Sequence, residues 1–317
     1  MALWGGSFIA IKIGLRHLTP AELVTARFVP SAMMLLPMGL LAAKRSGPPM
    51  TSFWKSLSRQ ELAVVIITSF LSVPAYHFCL NVGETMIPAG WAGLVISLNP
   101  ACIAIYAAIL LHEKVGARRW AGVALAFTGL VFIALTHEAH ADDGRTLTLF
   151  QKGLGIFITL GAVISWGGST TLSKKLIEGR KPLETLGWIM TLGALWTIPF
   201  WKPSLGAKFL VWNPELWWSV IFLSVGCTVF GFAVWYWTLS HWQASRAGAF
   251  IYLVPLFALI ISRVMLGERL DLATLVGAAG VLGGVVLAGT KSALKIAEGL
   301  ASQPQSDGKH DDASTRR

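Results

Sequence analysis

A chain of 317 residues with 54% hydrophobic and only 13% charged residues is not a water-soluble core, because soluble domains of this size carry about 25% charged residues. Its 32 glycines and 14 tryptophans suit membrane helices and membrane interfaces, so the formal charge of +10 reads as loop and tail charge rather than a nucleic-acid footprint. Cys79, Cys102 and Cys227 all fall in apolar runs, as small buried hydrophobes, with neither a disulfide framework nor metal-ligand spacing.

A membrane-spanning helix needs about 20 mostly apolar residues. Reading between charges, prolines and glycines predicts ten spans, at roughly 1–15, 20–43, 61–83, 88–111, 120–136, 152–173, 184–201, 215–238, 244–266 and 272–290. The connections are short except 44–60, 137–151 and 202–214, and the tail 291–317 has too little apolar surface to fold alone. Lys and Arg set orientation: with the N-terminus cytoplasmic, inner connections and tail hold 17 of them and outer connections hold 6. Both termini are expected inside.

Trp4-Gly5-Gly6-Ser7 returns as Trp166-Gly167-Gly168-Ser169, an offset of 162 that also relates Lys12 to Lys174, Pro20 to Pro182, Glu22 to Glu184 and Pro37 to Pro199. Further along the offset is 155, relating Asn99-Pro100 to Val254-Pro255, Glu113 to Glu268, Gly122 to Gly277 and Gly129 to Gly284. The chain therefore reads as two five-span units, 1–136 and 152–290, joined by an extracytoplasmic linker at 137–151 and followed by a cytoplasmic tail. An odd number of spans makes the second unit enter from the opposite side, an inverted repeat. That plan recurs in transporters with the substrate near the midplane. The repeat exposes an oddity: a long apolar run precedes Trp166, whereas three residues precede Trp4. The first helix is expected either to be unusually short or to begin upstream of Met1.

The "WGxxxxxxK…P…(A)RF" opening, the segments "NPACIAIYAAILLHEKV" and "LVPLFALIISRVMLGERL", and the glycine-containing spans after them resemble EamA-domain proteins of the drug/metabolite transporter superfamily. The resemblance covers residues 1–290 and lies in the doubled order of the motifs rather than in any one of them. It implies an all-α polytopic membrane protein, ten helices in two inverted five-helix repeats, in a bacterial inner membrane with both termini cytoplasmic. It also implies export of small metabolites such as amino acids, or of toxic compounds, through a central cavity lined by spans 1, 3, 4, 6, 8 and 9.

Several residues stand out as candidates to line such a cavity. Pro100 and Pro255 sit mid-span and free backbone carbonyls one turn earlier, as cavity-lining bends or as static packing kinks. Trp166, Ser169, Thr170 and Ser173 share one face of span 6, with Trp4 and Ser7 as counterparts in span 1. Span 3 offers Tyr76, His77 and Asn81, span 4 Asn99, Cys102 and Tyr106, span 8 Thr228, Gly231, Trp235 and Thr238, and span 9 Tyr252. The expected roles are stacking for Trp4, Trp166, Tyr106, Trp235 and Tyr252, polar orientation for His77, Asn81, Asn99 and Ser169, and bending for Pro100 and Pro255, with Ser7 and Tyr76 also expected to contact substrate. For His77, Asn81 and Asn99 a helix–helix hydrogen bond is an equal alternative. Lys12 and Lys174 either snorkel to opposite faces or bind substrate. Arg27 and Arg263 are placed near outer helix ends, where Glu22 and Glu268 can pair with them.

No Asp or Glu lies within a span interior, which disfavours proton coupling through a buried carboxylate and leaves His77 as the interior group that titrates near neutrality. A nucleophile elbow, an HExxH pair and a P-loop are all absent, so neither an enzyme nor a bound cofactor or metal is expected. The "HEAHADD" run at 137–143 reads as a solvated loop. Together these features predict an alternating-access exporter of a zwitterionic or neutral amphipathic metabolite, acting as monomer or homodimer, with a membrane-embedded enzyme or sensor as the rival class.

Overall fold

The computed structural model describes residues 1–45, 52–110, 116–136, 147–200, 212–242, 244–265, 272–273, 275–284 and 286–287. Glu113, Glu268, the 137–143 run and the 291–317 tail lie outside the described residues. Within them every regular element is helical. The main helices are α1 (Ala2–Leu15), α2 (Pro20–Arg45), α3 (Arg59–Glu84), α4 (Ala89–Leu110), α5 (Ala117–Thr136), α6 (Leu149–Ile177), α7 (Pro182–Leu195), α8 (Pro214–His241), α9 (244–265) and α10 (Leu275–Gly284). Five of them, α2, α3, α4, α6 and α8, are long and apolar enough to cross a membrane. At 14 residues α1 is about 21 Å long, shorter than a hydrocarbon core of about 30 Å.

Local chemistry explains where these helices start and stop. Thr148 and Gln151 form a capping box: the Gln151 amide donates to Thr148 Oγ1 at 3.2 Å and the Thr148 amide to Gln151 Oε1 at 3.0 Å. This starts α6 earlier than its apolar run alone suggests. Ser58 and Glu61 do the same for α3. The span expected at 184–201 is instead an α-helix ending at Leu195, followed by a 3-10 turn, Ile198–Phe200. Pro199 accounts for the break, because it has no amide to donate and crowds the turn before it.

Two helices carry wide turns. Leu71–Ala75 of α3, which contains Pro74, and Phe222–Phe230 of α8 are π-helical. Two others are interrupted. In α4 the helix Ala89–Ile96 ends, and a new one starts at Asn99. In α9 a 3-10 stretch, Phe250–Leu253, precedes a new helix at Val254. Both restarts fall one residue before a proline, Pro100 and Pro255, 155 residues apart.

Packing is tightest where glycine removes the Cβ. Helix α2 packs closely on α7, where Gly39 faces the Leu183 carbonyl and Gly187 the Leu35 carbonyl. Helix α6 runs against α3 and α4, with Gly161 on Cys79 and Gly167 on Cys102 and Tyr106. Helix α1 packs on α9 and α8.

Charged side chains mark two ends of the bundle. At one end Lys181 Nζ donates to the Ala43 carbonyl at 2.6 Å, Lys174 Nζ to the Leu239 carbonyl at 2.9 Å, and Arg180 pairs with Glu61 at 2.7 Å. These cations complete carbonyls left open in the last turns of α2 and α8. At the other end Arg16, just past α1, meets Glu215 in the first turn of α8 at 3.3 Å. Thus α1 ends beside the start of α8, whereas α6 ends beside its finish.

Candidate functional site

A small cavity lies where α1, α2, α3, α4, α6, α8 and α9 converge. It holds about 30 Å³, room for about two water molecules. Its wall is made by Trp4, Ser7, Phe8, Arg27, Tyr76, His77, Leu80, Ile96, Asn99, Trp166, Phe232, Ile251 and Val254, and contains no Asp or Glu. Four pairs of these residues are equivalents under the sequence repeat: Trp4 and Trp166 at offset 162, and His77 and Phe232, Ile96 and Ile251, Asn99 and Val254 at offset 155. The cavity therefore lies where the two halves of the chain meet.

The aromatic part of the wall is a cluster of edge and tilted ring contacts. Trp4 sits 5.6 Å from Trp166, 5.6 Å from Trp235 and 5.9 Å from Phe232, and Trp166 lies 5.2 Å from Tyr76. Rings at these separations and tilts attract through their quadrupoles. The two repeat-related tryptophans differ in their polar handles. Trp4 Nε1 donates to the Cys227 carbonyl at 3.1 Å, whereas Trp166 Nε1 is buried without an acceptor. On the far side of Trp4 and Trp235 a wider recess of about 290 Å³ lies between the start of α1, α8 and Ala247.

The polar part of the wall is built around Arg27. Its side chain is only 4% exposed, and its Nε donates to Thr228 Oγ1 at 2.8 Å. The π turn of α8 prepares that acceptor, because Thr228 sends its own proton to the Leu223 carbonyl, five residues back, at 2.9 Å. A lone pair of the hydroxyl is left for Arg27. Arg27 Nη1 lies 3.4 Å from His77 Nδ1. A guanidinium has no acceptor, so Nδ1 must accept and the imidazole carries its proton on Nε2. That Nε2 is buried and unpartnered, as is Asn99 Oδ1.

This arrangement corrects the placement of Arg27 near an outer helix end in a pair with Glu22. The Glu22 carboxylate caps its own helix, accepting from the Thr19 amide at 2.9 Å, and Arg27 points into the bundle. The spacing already carries the signal: more than one turn of α2 separates Pro20 and Glu22 from Arg27, which suffices to move it from the helix end to the interior. Arg263 is exposed.

The other candidate residues divide between the cavity and its surroundings. Trp4, Ser7, Tyr76, His77, Asn99 and Trp166 line it, and Trp235 backs it through Trp4 and Trp166. Asn81 instead donates to the Pro20 carbonyl at 3.3 Å, a bond between α3 and the start of α2. Ser169 returns its proton to the Trp166 carbonyl, and Tyr106 packs on Gly167 and Gly168. The Tyr252 and Pro255 side chains lie outside the described residues. Lys174 caps α8 and does not reach the cavity wall. Among the described residues no group of His, Cys, Asp or Glu is arranged to hold a metal.

Comparison with known proteins gives this architecture a family. The profile of the EamA-like transporter family matches twice, over residues 1–135 and 153–290. An uncharacterized transporter of Archaeoglobus fulgidus is 30% identical over 287 residues, covering 90% of this chain and 95% of its own. A probable terminal-alkyne amino-acid exporter of Streptantibioticus cattleyicolor is 27% identical, covering 90% of this chain and 89% of its own. A probable amino-acid metabolite efflux pump of Salmonella typhimurium is 25% identical, covering 90% and 91%. A solved crystal structure shares the fold with a TM-score of 0.63 at 18% identity, over 92% of this chain and 94% of its own. The chain is a multi-pass membrane protein that belongs to the EamA-like transporter family.

Proposed function

We propose that the protein is a secondary transporter that exports a small amphipathic metabolite, an amino acid or a relative of one, across a bacterial inner membrane by alternating access. In this reading the helices α1–α5 and α6–α10 are two inverted five-helix repeats, each helix spans, and both termini are cytoplasmic. The opposite polarity of α1 and α6 relative to α8 supports the inversion. The clustering of Lys174, Arg180 and Lys181 at one end supports that end as cytoplasmic.

The observation that carries the reading is the cavity made from repeat-equivalent residues of both halves. A site shared by two related halves can stay fixed while the halves rock, opening it to one face and then the other. Its small volume suits a closed state that must dilate to admit a solute. The wall is chemically mixed, aromatic rings beside a few polar groups, which suits a solute with an apolar body and one polar end. Among the described residues no carboxylate lines the wall, and His77 Nδ1 is engaged by Arg27, so exchange or facilitated export is favoured over proton coupling at this site.

The test is counterflow. Purified protein in liposomes preloaded with a panel of amino acids, their derivatives and cationic drugs should accumulate at least one labelled solute against its own gradient, with Trp166→Ala slowing it. Cationic drugs as the only accepted solutes would replace the metabolite reading with a drug exporter. No counterflow of any solute, together with chemical conversion of one, would replace transport with catalysis.

A further inference from the structure

Arg27 raises a question that transport alone does not answer. Of its five N–H groups, one is used by Thr228 and one by His77, and among the described residues no carboxylate lies within ion-pair distance. The guanidinium lies over the Phe28 ring at 5.1 Å and feels the buried Glu84 carboxylate only beyond ion-pair distance. A buried guanidinium without a carboxylate in contact is costly, and such residues mark sites where a partner arrives. Its neighbours in the wall point the same way. His77 Nε2 carries a hydrogen with no acceptor, and Trp166 Nε1 is a second buried donor without one. Three residues with spare donors therefore line a cavity that, among the described residues, offers no Asp or Glu to receive a cation.

We propose that the transported solute enters this cavity as a monoanion, its carboxylate held by the guanidinium of Arg27 with help from His77 Nε2–H and Trp166 Nε1–H, and its apolar body against Trp4 and Phe232. This rests on the transporter reading and deepens it. It replaces the zwitterion expected from the sequence with an acid that lacks a free ammonium group, such as an aryl-acetic acid or an amino acid with its nitrogen blocked. An ammonium would find aromatic faces here but no carboxylate. A phosphate ester, carrying about −1.5 to −2 charge at neutral pH, would overfill a site with one cation. With Nε and Nη1 each engaged once, three N–H groups of Arg27 remain for a carboxylate, which a guanidinium can meet through two parallel bonds.

Four probes of matched shape test the charge: phenylacetate, phenylalanine, phenethylamine and phenyl phosphate. In liposomes carrying the full chain, phenylacetate should exchange about tenfold or more faster than phenethylamine and faster than phenylalanine or phenyl phosphate. In net uptake into liposomes holding no solute, one negative charge moves per phenylacetate. An imposed potassium diffusion potential should therefore drive that uptake in the direction of its charge, while one-for-one phenylacetate exchange should not respond to it. Arg27→Gln should erase the preference among the four probes, and Arg27→Lys, which keeps the charge but not the fork, should keep the preference for anions at reduced rate. Binding to detergent-solubilised protein, read by tryptophan fluorescence, supplies a measure independent of transport. Saturable phenylacetate binding without counterflow would leave the anion site standing and overturn the transporter reading. Counterflow of phenylalanine or phenethylamine at least as fast as phenylacetate, unchanged by Arg27→Gln or Arg27→Lys, would make Arg27 a strut between α2, α3 and α8 and overturn the anion site alone. Phenyl phosphate outrunning phenylacetate, or no saturable response to phenylacetate, overturns it as well.

Discussion

The two halves of the chain contribute to one cavity with the same backbone and different chemistry. Helices α4 and α9 break at the same register, 155 residues apart, and the residue that restarts each helix, Asn99 or Val254, lines the cavity. The π turns of α3 and α8 overlap at that offset too, and His77 and Phe232 follow them at equivalent positions. Yet at the matching places the first half supplies His77 and Asn99 where the second supplies Phe232 and Val254, and Arg27 corresponds at offset 162 to Ile189, which is not among the wall residues. The repeat has kept what shapes the cavity and divided what fills it. In the proposed mode of binding the solute's carboxylate meets Arg27 and His77 of the first half and Trp166 of the second.

That division can be broken by making the halves alike. His77→Phe copies the second half into the first and removes both the acceptor for Arg27 and the free Nε2 donor. Counterflow of the best solute should fall about tenfold or more, the size expected when a charge-assisted hydrogen bond is lost. Phe232→His at the equivalent position should slow it by no more than about threefold, since ring packing on Trp4 and Trp166 is only partly replaced. Equal losses from the two changes would show that the polar groups are not divided between the halves in any functional sense.

The repeated tryptophans sharpen the same contrast on the side of stability. Trp4→Phe strands the Cys227 carbonyl and should cost about 1–3 kcal/mol. Trp166→Phe removes a buried donor that already lacks an acceptor and should be close to neutral in thermal unfolding. Transport should reverse the order, Trp166→Phe slowing it more. Unfolding curves in detergent that rank Trp166→Phe as the more damaging change would mean its indole N–H is satisfied within the bundle.

A smaller effect separates cavity from scaffold. A Cβ on Gly129 in α5 would meet the Gly277 carbonyl at 2.6 Å and the Val281 amide at 2.8 Å, both backbone. Gly129→Ala should therefore lower stability by about 1–2 kcal/mol. A Cβ on Gly280 in α10 meets the Gly129 Cα at 3.3 Å, so Gly280→Ala should cost less. Both should leave the order of solute preference unchanged, because none of the described residues of α5 and α10 is in the cavity wall.

Helix positions, the doubled Trp-Gly-Gly-Ser and the proline pair are legible in the sequence because each depends on local rules: apolar run length, turn-breaking residues and spacing. The aromatic wall follows from the same spacing. The role of Arg27 is not legible, because burial is a property of neighbours: its acceptor, Thr228, is 201 residues away and is readied by a π turn that no composition rule announces. Asn81, Ser169 and Tyr106 show the converse. Each has the residue type of a binding group, but a carbonyl or a glycine face lies within reach and engages it first. The end of α7 escapes any reading that weighs apolarity above Pro199.

The prolines allow the comparison to be tested in motion. Pro100 and Pro255 follow equivalent breaks, so in an inverted repeat each shapes a gate on an opposite face of the membrane. Replacing either by Ala restores a backbone donor worth about 1 kcal/mol and favours a continuous helix, which shifts the balance of inward- and outward-open states by about fivefold. A change moves such a balance only through its unequal effect on the two states, so equivalent changes in inverted halves should move it in opposite directions. Single cysteines at Ser7 and at Ser169, in a background lacking Cys79, Cys102 and Cys227, report accessibility from each side. Pro100→Ala and Pro255→Ala should raise labelling from opposite faces, with solute affinity changed less than transport rate. Labelling that rises from the same face in both variants, or in neither, would make the prolines packing kinks and confine the likeness of the two halves to their static shape.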